Sequence, residues 1–199
     1  MKKKVFKLLF AIICLLGSTS VSAYDFKVDG IYYEVVSMRD FTCKVVNNGT
    51  VDCYTGDIEI PATLSYDNTT WTVVGIGDDA FYECRSVTNV TIPNSVTKIG
   101  LNAFAWCCFT SITIPNSVTE IGIMAFYCCA SLTDITIPNS VTEIGISTFY
   151  GCSSLTSVTL PNSITMISAT MFQECSNLTN VTIPNSITMI GDYAFRYCI

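Results

Sequence analysis

The chain has 199 residues, of which 50% are hydrophobic and 13% are charged, and this composition predicts a packed core rather than a disordered chain. Without the four lysines of residues 1–23 the net charge falls from −6 to −10, which excludes a polybasic face, so nucleic acid and anionic membranes are poor candidate partners. The chain contains no histidine, so a Ser-His or Cys-His nucleophile cannot be built. No phosphate-binding glycine loop is present either.

The first residues have the layout of a secretory signal peptide. Three lysines, Lys2 to Lys4, precede an apolar run from Val5 to Leu16, and the small-residue site Val21-Ser22-Ala23 follows. We therefore predict cleavage after Ala23, with residues 1–23 as signal peptide, and a secreted or cell-surface protein. The apolar run is too short to span a bilayer, and no later stretch is long enough, so we expect no transmembrane segment in the mature chain.

Residues 24–57 carry two hairpin signals and none of the repetition that follows. Asp29-Gly30 lies between Val28 and Ile31, and Asn48-Gly49 lies between two β-rich segments. We predict an N-terminal β-hairpin cap over this segment. The first coil after it contains an insertion around Ser65 to Trp71 and is therefore an atypical edge repeat.

Two cysteines flank the second hairpin signal. A three-residue loop over Asn47-Asn48-Gly49 would set Cys43 and Cys53 directly opposite, whereas a two-residue loop would put them on opposite faces. An oxidising compartment favours pairing. We predict a disulfide between Cys43 and Cys53.

Residues 58–199 repeat one unit about six times, and the last copy is incomplete. The tetrapeptide Ile-Pro-Asn-Ser, or Leu-Pro-Asn-Ser, returns at a step of 22 residues and then of 23 residues, at Ile92–Ser95, Ile114–Ser117, Ile137–Ser140, Leu160–Ser163 and Ile183–Ser186. A unit this short cannot bury itself. We therefore predict that neighbouring units stack into a solenoid with a continuous core.

Each unit contains signals for two short extended segments and a turn. Ile135-Thr136-Ile137 alternates and is β-branched, which predicts a short strand pairing in parallel with its copies, and Pro138 ends it. A second extended segment, Val141 to Ile144, is closed by Gly145, where we expect a positive-φ bend. Phe149 then lies on a tight helical or 3₁₀ turn.

Two residue types recur in register after the bend. The aromatic spine comprises Phe81, Phe104, Phe126, Phe149, Phe172 and Phe195, and the cysteine ladder comprises Cys84, Cys107, Cys129, Cys152, Cys175 and Cys198. A metal or redox relay would need convergent ligands, whereas a ladder presents one thiol per layer, so we expect buried and mostly free thiols. Cys108 and Cys128 stand where other units carry Ser or Gly, and they could pair across neighbouring coils or be neutral replacements.

The predicted strands leave two positions per coil facing solvent. We name these ten residues the strand face: Asn89, Thr91, Ser111, Thr113, Asp134, Thr136, Ser157, Thr159, Asn180 and Thr182. Solenoids use such extended faces for binding. The alternative is that these residues only keep the sheet soluble. Glu120 and Glu143 recur in adjacent units and could form a pair of catalytic carboxylates. Other units carry Lys98, Met166 and Met189 at the same position, which favours a solvated outer face instead.

The consensus V-T-I-P-N-S-V-T-x-I-G-x-x-A-F-x-x-C, recurring from Ile58 to Cys198, resembles the BspA-type, or Treponema pallidum-type, leucine-rich repeats of bacterial surface proteins. The resemblance implies a leucine-rich-repeat solenoid of short parallel strands in a right-handed coil with 3₁₀ or short helical turns. It also implies adhesion to host extracellular-matrix proteins or to other cells. Because the residues show no catalytic constellation, we expect a non-enzymatic protein without cofactor.

Some positions depart from this consensus. Ser168 replaces the bend glycine, Thr148 and Met171 replace the alanine before phenylalanine, and one unit is a residue short near Cys108. We expect these changes to alter local packing and to leave the fold intact.

The C-terminal end of the array carries no polar cap before Ile199. An uncapped end predicts end-to-end self-association. The alternative function that follows is a structural spacer, or a fragment of a longer repeat array without a ligand of its own.

Overall fold

The structure is a computed structural model that describes residues 24–48 and 54–198. The predicted signal peptide, Gly49 to Cys53 and Ile199 lie outside the described residues. In the described part the strands are β1 (Phe26–Val28), β2 (Ile31–Ser37), β3 (Thr42–Val46), β4 (Gly56–Glu59), β5 (Thr63–Tyr66), β6 (Thr69–Ile76), β7 (Val87–Thr91), β8 (Lys98–Ile99), β9 (Glu120–Ile121), β10 (Asp134–Thr136), β11 (Glu143–Ile144), β12 (Ser157–Thr159), β13 (Met166–Ile167), β14 (Asn180–Thr182) and β15 (Met189–Ile190). No stretch of these residues forms a helix that is long and apolar enough to cross a membrane.

The cap begins with the hairpin predicted at Asp29-Gly30. β1 and β2 pair antiparallel, and the two turn residues adopt φ values of 48° and 86°, as a two-residue hairpin turn with positive φ requires. β2 then pairs antiparallel with β3 through a turn at residues 38–41, which the sequence reading did not identify.

The hairpin expected at Asn48-Gly49 would need a free edge of β3 to pair with, and both edges of β3 are already paired. One edge of β3 pairs with β2, and the other pairs in parallel with β6, where Cys43 lies opposite Val73. The loop geometry that set Cys43 and Cys53 opposite each other is therefore wrong. Cys43 is fully buried, and because Cys53 lies outside the described residues, the disulfide itself stays a prediction.

The insertion in the first coil is a third hairpin. β5 and β6 pair antiparallel, and the tip residues Asp67 and Asn68 adopt φ values of 49° and 58°. β6 is long enough to continue beyond this hairpin and to join β3 to the repeats through β8. Through β6, the hydrogen-bonded sheet of the cap therefore continues into the repeat array.

The strands of the coils form two columns. The first column contains the pair β4–β7 and the sheet β10–β12–β14, and the second contains β6–β8–β9–β11 and the pair β13–β15. The repeat-to-repeat pairings are parallel and in register. This arrangement confirms a leucine-rich-repeat solenoid of short parallel strands.

The aromatic spine fills the core beside these columns. Its rings stack nearly parallel, with 5.1 Å between the centroids of Phe81 and Phe104 and 5.6 Å between those of Phe149 and Phe172. The first five phenylalanines are fully buried, and Phe195 in the last coil is half-buried. One ring per coil therefore forms a continuous aromatic stack through the solenoid.

The helical or 3₁₀ turn predicted around the spine phenylalanines is wrong for every described coil, where the segment is a run of turns. In one coil the amides of Asn102, Phe104 and Trp106 donate to carbonyls of the next coil, and only the alternate amides bond back within the turn. Asn102 and Trp106 also adopt positive φ, of 50° and 65°. In a helix successive backbone amides donate hydrogen bonds within the same segment, whereas here every second amide donates to the next coil.

The positive-φ bend predicted at Gly145 is also wrong. Among the described glycines only Gly30, Gly56 and Gly151 adopt positive φ. A Cβ at Gly145 would lie 2.5 Å from the Cα of Ile123 in the preceding coil. Glycine is required at this position because two backbones approach closely, rather than because of its conformational freedom.

Ser168, which replaces this glycine, coincides with a break in the second column. β11 and β13 do not pair, and the Ser168 hydroxyl donates to the Ile144 carbonyl at 2.7 Å. Thr142 and Thr188 donate their amides to the preceding coil, whereas Thr165 makes no such bond to any described residue. The added Cβ therefore separates the two coils and leaves a surface depression of about 440 Å³ between them.

The short unit near Cys108 interrupts the first column. Nine positions separate the ladder cysteine from the proline in the other units, as from Cys129 to Pro138, but only eight separate Cys107 from Pro115. The next buried apolar residue, Phe109, lies two positions after the ladder cysteine, whereas in the other units it lies three positions after. Residues 110–114 form no strand. The prediction of a strand in every unit is therefore wrong for this coil.

Candidate binding surface

The first strand column displays the strand face in aligned rows. Asp134, Ser157 and Asn180 are opposite one another on β10, β12 and β14, and Thr136, Thr159 and Thr182 form the second row. The residue between the rows, such as Ile135, points into the core. All ten residues of the strand face are exposed.

A neighbouring threonine column shows what a purely structural hydroxyl does in this fold. The hydroxyls of Thr133, Thr156 and Thr179 each donate to a threonine carbonyl one coil earlier, at 3.2 to 3.3 Å. Among the strand-face side chains only Asp134 forms a side-chain hydrogen bond with a described residue: its carboxylate accepts from the Thr133 hydroxyl at 3.3 Å. The other nine make no side-chain hydrogen bond with any residue that the structure describes, so their polar groups are available to a ligand.

The missing strand divides this surface into two parts. Asn89 and Thr91 lie on β7, whereas Asp134 and the later members lie on the sheet that begins at β10. Ser111 and Thr113, between the two parts, are exposed on irregular backbone. A ligand would therefore meet two aligned strand segments separated by one coil of different geometry.

Two acidic residues that the sequence reading missed extend the strand face. Asp57 and Glu59 on β4 lie opposite Asn89 and Thr91. The segment Asp57-Ile-Glu-Ile-Pro61 matches Asn89-Val-Thr-Ile-Pro93, so the repeat pattern is present in the sequence. The insertion that follows it changes the spacing to the next unit and hid the correspondence. With Asp134, they give the surface three carboxylates and no basic side chain, so it has an acidic character.

The comparisons identify the type of repeat. Six copies of the BspA type leucine-rich repeat region match residues 74–199. The chain belongs to this family. Its BspA-type array is similar to a solved leucine-rich cell surface protein from Faecalibacterium prausnitzii, with 33% identity over 86% of this chain and 45% of that chain and a TM-score of 0.73.

Two further solved structures resemble the BspA-type array. A leucine-rich repeat protein from Bacteroides ovatus is 29% identical over 88% of this chain and 57% of that chain, with a TM-score of 0.54. The Treponema pallidum leucine-rich repeat protein is 26% identical over 84% of this chain and 86% of its own length, with a TM-score of 0.64. The chain spans about half the length of the first two. No curated protein matches it significantly.

The cysteine ladder of the BspA-type array connects coils. Each thiol of Cys107, Cys129, Cys152, Cys175 and Cys198 lies 3.0 to 3.2 Å from the carbonyl oxygen of the spine phenylalanine in the preceding coil. Burial raises the pKa of Cys129 and Cys152 well above the ordinary thiol value and that of Cys175 to about 12. A thiol that stays protonated is a poor nucleophile and metal ligand, so this geometry supports a structural role.

The two cysteines outside the ladder have different surroundings. Cys108 is exposed, and Cys128 is half-buried at a φ of 53°, in the turn position that Gly151 occupies one coil later. Burial raises the pKa of the Cys128 thiol, and a hydrogen bond with Tyr127 opposes that shift. Neither forms a disulfide with another described cysteine.

The carboxylates Glu120 and Glu143 lie on the second column, away from the strand face. They are opposite each other on β9 and β11, and Glu120 forms a salt bridge of 2.6 Å with Lys98 on β8. The row continues through exposed Met166. In the described ranges no group of three or more Cys, Asp or Glu residues is placed to hold a metal ion.

Proposed function

We propose that this BspA-type chain is a secreted or cell-surface protein that binds extracellular proteins or cell surfaces through the strand face. One contrast beside the same sheet carries the proposal. The flanking threonines donate their hydroxyls to carbonyls of the preceding coil, whereas nine strand-face side chains make no side-chain hydrogen bond with a described residue. Leucine-rich repeats of this family support a protein-interaction role. An exposed, regularly spaced polar surface on a rigid solenoid suits recognition of a protein surface.

The charges of this surface favour one class of partner. Asp57, Glu59 and Asp134 contribute negative charge, and no lysine or arginine lies among the aligned positions. Complementary charge increases association rates and disfavours acidic partners. Basic segments of extracellular-matrix proteins are therefore the partners that we propose first.

A binding panel tests the proposal. The purified protein is titrated against immobilised extracellular-matrix proteins and whole cells, beside a variant with Asn89→Ala, Asp134→Ala and Asn180→Ala. The matched control changes three exposed asparagines of the Pro-Asn-Ser turns, Asn94, Asn116 and Asn185, to alanine. We expect saturable binding that the first variant loses and the control retains. Absence of binding by a folded sample would favour the structural spacer instead.

The proposed location depends on removal of the leader. We propose that export yields a mature chain beginning at Tyr24, since the signal-peptide pattern ends at Ala23. Intact-mass measurement and N-terminal sequencing of protein recovered from the native cell test this step. A mature chain that still carries Val5 to Leu16 would contradict it.

A further inference from the structure

A second surface of the solenoid carries an ordered row of unlike side chains. Along the second column the residues in register are, coil by coil, buried Gly75, then Lys98, Glu120 and Glu143, and beyond the break Met166 and Met189. Beside this row, just after the close-packed glycines, runs an exposed apolar column of Leu101, Ile123 and Ile146, which are 39%, 45% and 49% exposed. Contiguous exposed apolar residues of this kind mark interaction surfaces rather than ordinary solvent-facing sheet.

One end of the row is concave and the other protrudes. Gly75 lacks a side chain, and together with Gly77, Gly100, Lys44 and Val36 it lines a depression of about 390 Å³. Met166 and Met189, towards the other end, are exposed, flexible apolar side chains with 45% and 59% exposure. The depression lies two coils before Glu120, and Met166 lies two coils after it.

From Gly75 to Met166 this order is self-complementary about the coil of Glu120. We propose that two copies of the chain associate face to face through this surface, about a two-fold axis at Ile123, with their solenoid axes antiparallel. Coil by coil, Gly75 of one copy then faces Met166 of the other, Lys98 faces Glu143, Leu101 faces Ile146, and Ile123 faces its own counterpart. The interface is isologous, so each of the unlike contacts forms twice.

The charges select this arrangement over the alternative. If the solenoid axes were parallel, Lys98 would face Lys98 and Glu143 would face Glu143, and like charges across an interface are unfavourable. In the antiparallel arrangement the two Lys98–Glu143 contacts are attractive. Glu120 faces its own counterpart at the axis, where the Lys98 ammonium of the same chain already lies 2.6 Å from its carboxylate.

Single-cysteine cross-linking tests the position of the axis. In a background with the exposed Cys108 changed to serine, Ile123→Cys should give a disulfide-linked dimer under mild oxidation, because a residue on the axis meets itself. Leu101→Cys and Ile146→Cys should cross-link only when the two proteins are mixed. Thr136→Cys, an exposed residue of the other column, is the control and should stay monomeric. Cross-linking of Ile123→Cys no faster than Thr136→Cys would overturn the proposal.

Sedimentation across a concentration series tests the contacts away from the axis. We expect Lys98→Glu to raise the dimer dissociation constant by about tenfold or more, and the exchanged pair Lys98→Glu with Glu143→Lys to restore it. Gly75→Met should weaken the dimer in the same way by filling the depression, since a Cβ at Gly75 meets its nearest atoms at an ordinary 3.5 Å. A monomer at every concentration, or a dimer that survives both Lys98→Glu and Gly75→Met, would overturn it.

Discussion

Gly122 packs so closely on Gly100 that a Cβ at Gly122 would lie 2.6 Å from the Gly100 carbonyl carbon. Gly122→Ala therefore forces the two coils apart and should lower the free energy of unfolding by about 1–3 kcal/mol. Gly75→Ala is the matched control, because its Cβ contacts begin at 3.5 Å. Denaturant unfolding of both variants makes the comparison, and equal stabilities would contradict the close-packing account.

The aromatic stack should be most sensitive where it is fully enclosed. Phe149 is completely buried between Phe126 and Phe172, whereas Phe195 is half-buried in the last coil. We expect Phe149→Ala to lower the free energy of unfolding by about 3–5 kcal/mol and Phe195→Ala to cost clearly less. Thermal unfolding followed by circular dichroism measures both. A larger loss for Phe195→Ala would contradict the stack as drawn.

The buried thiols give the fold an alkaline limit. Burial raises the pKa of Cys175 from its ordinary value of 9.0 to about 12, so the folded state holds a proton that the unfolded state releases. The resulting stabilisation is complete below pH 9 and is lost as the pH rises from 9 towards 12. We expect the denaturation midpoint to fall over that range, and less steeply in Cys175→Ala.

The same burial predicts which thiol reacts first. In the native protein iodoacetamide should modify exposed Cys108 rapidly and leave Cys129 and Cys152 unmodified. Mass mapping of alkylated peptides makes the measurement, with the unfolded protein as the control in which all thiols react. Early modification of Cys152 in folded protein would show that the ladder is accessible.

The break at Ser168 should open first. The Thr165 amide lacks the bond to the preceding coil that Thr142 and Thr188 make at 2.9 and 2.8 Å, so we expect it to exchange its hydrogen faster than theirs. Ser168→Gly should slow the exchange of Thr165 by allowing β11 and β13 to pair. Hydrogen exchange with mass spectrometry compares the two proteins. Equal protection at all three threonines would contradict a local break.

The sequence predicted the solenoid because its determinants are periodic. Ile135 with its copies, the spine phenylalanines and the ladder cysteines recur at a fixed step, and each needs the same neighbour in the next coil. The strand-face residues were found for the same reason, since alternation around a buried residue exposes both flanking positions. What repeats in the sequence was therefore readable without the structure.

The errors fall where pairing between coils, rather than local pattern, decides the conformation. Gly145 reads locally as a bend, but the constraint on it comes from Ile123 in another coil. Asn48-Gly49 reads as a hairpin, but β6 already occupies the edge of β3. The turns after Phe104 read as helical, but their alternate amides bond to the next coil. Each competing contact is distant in sequence and invisible in a local window.

The most direct test of the proposed function introduces one positive charge at matched places and measures binding to a basic extracellular-matrix protein by surface plasmon resonance. Ser157 lies in the centre of the strand face, and Asn116 is an exposed turn residue outside it. The account predicts that Ser157→Lys raises the dissociation constant by about tenfold or more, whereas Asn116→Lys leaves it unchanged. Equal effects of the two substitutions, or binding that Ser157→Lys does not weaken, would contradict the strand face as the binding surface.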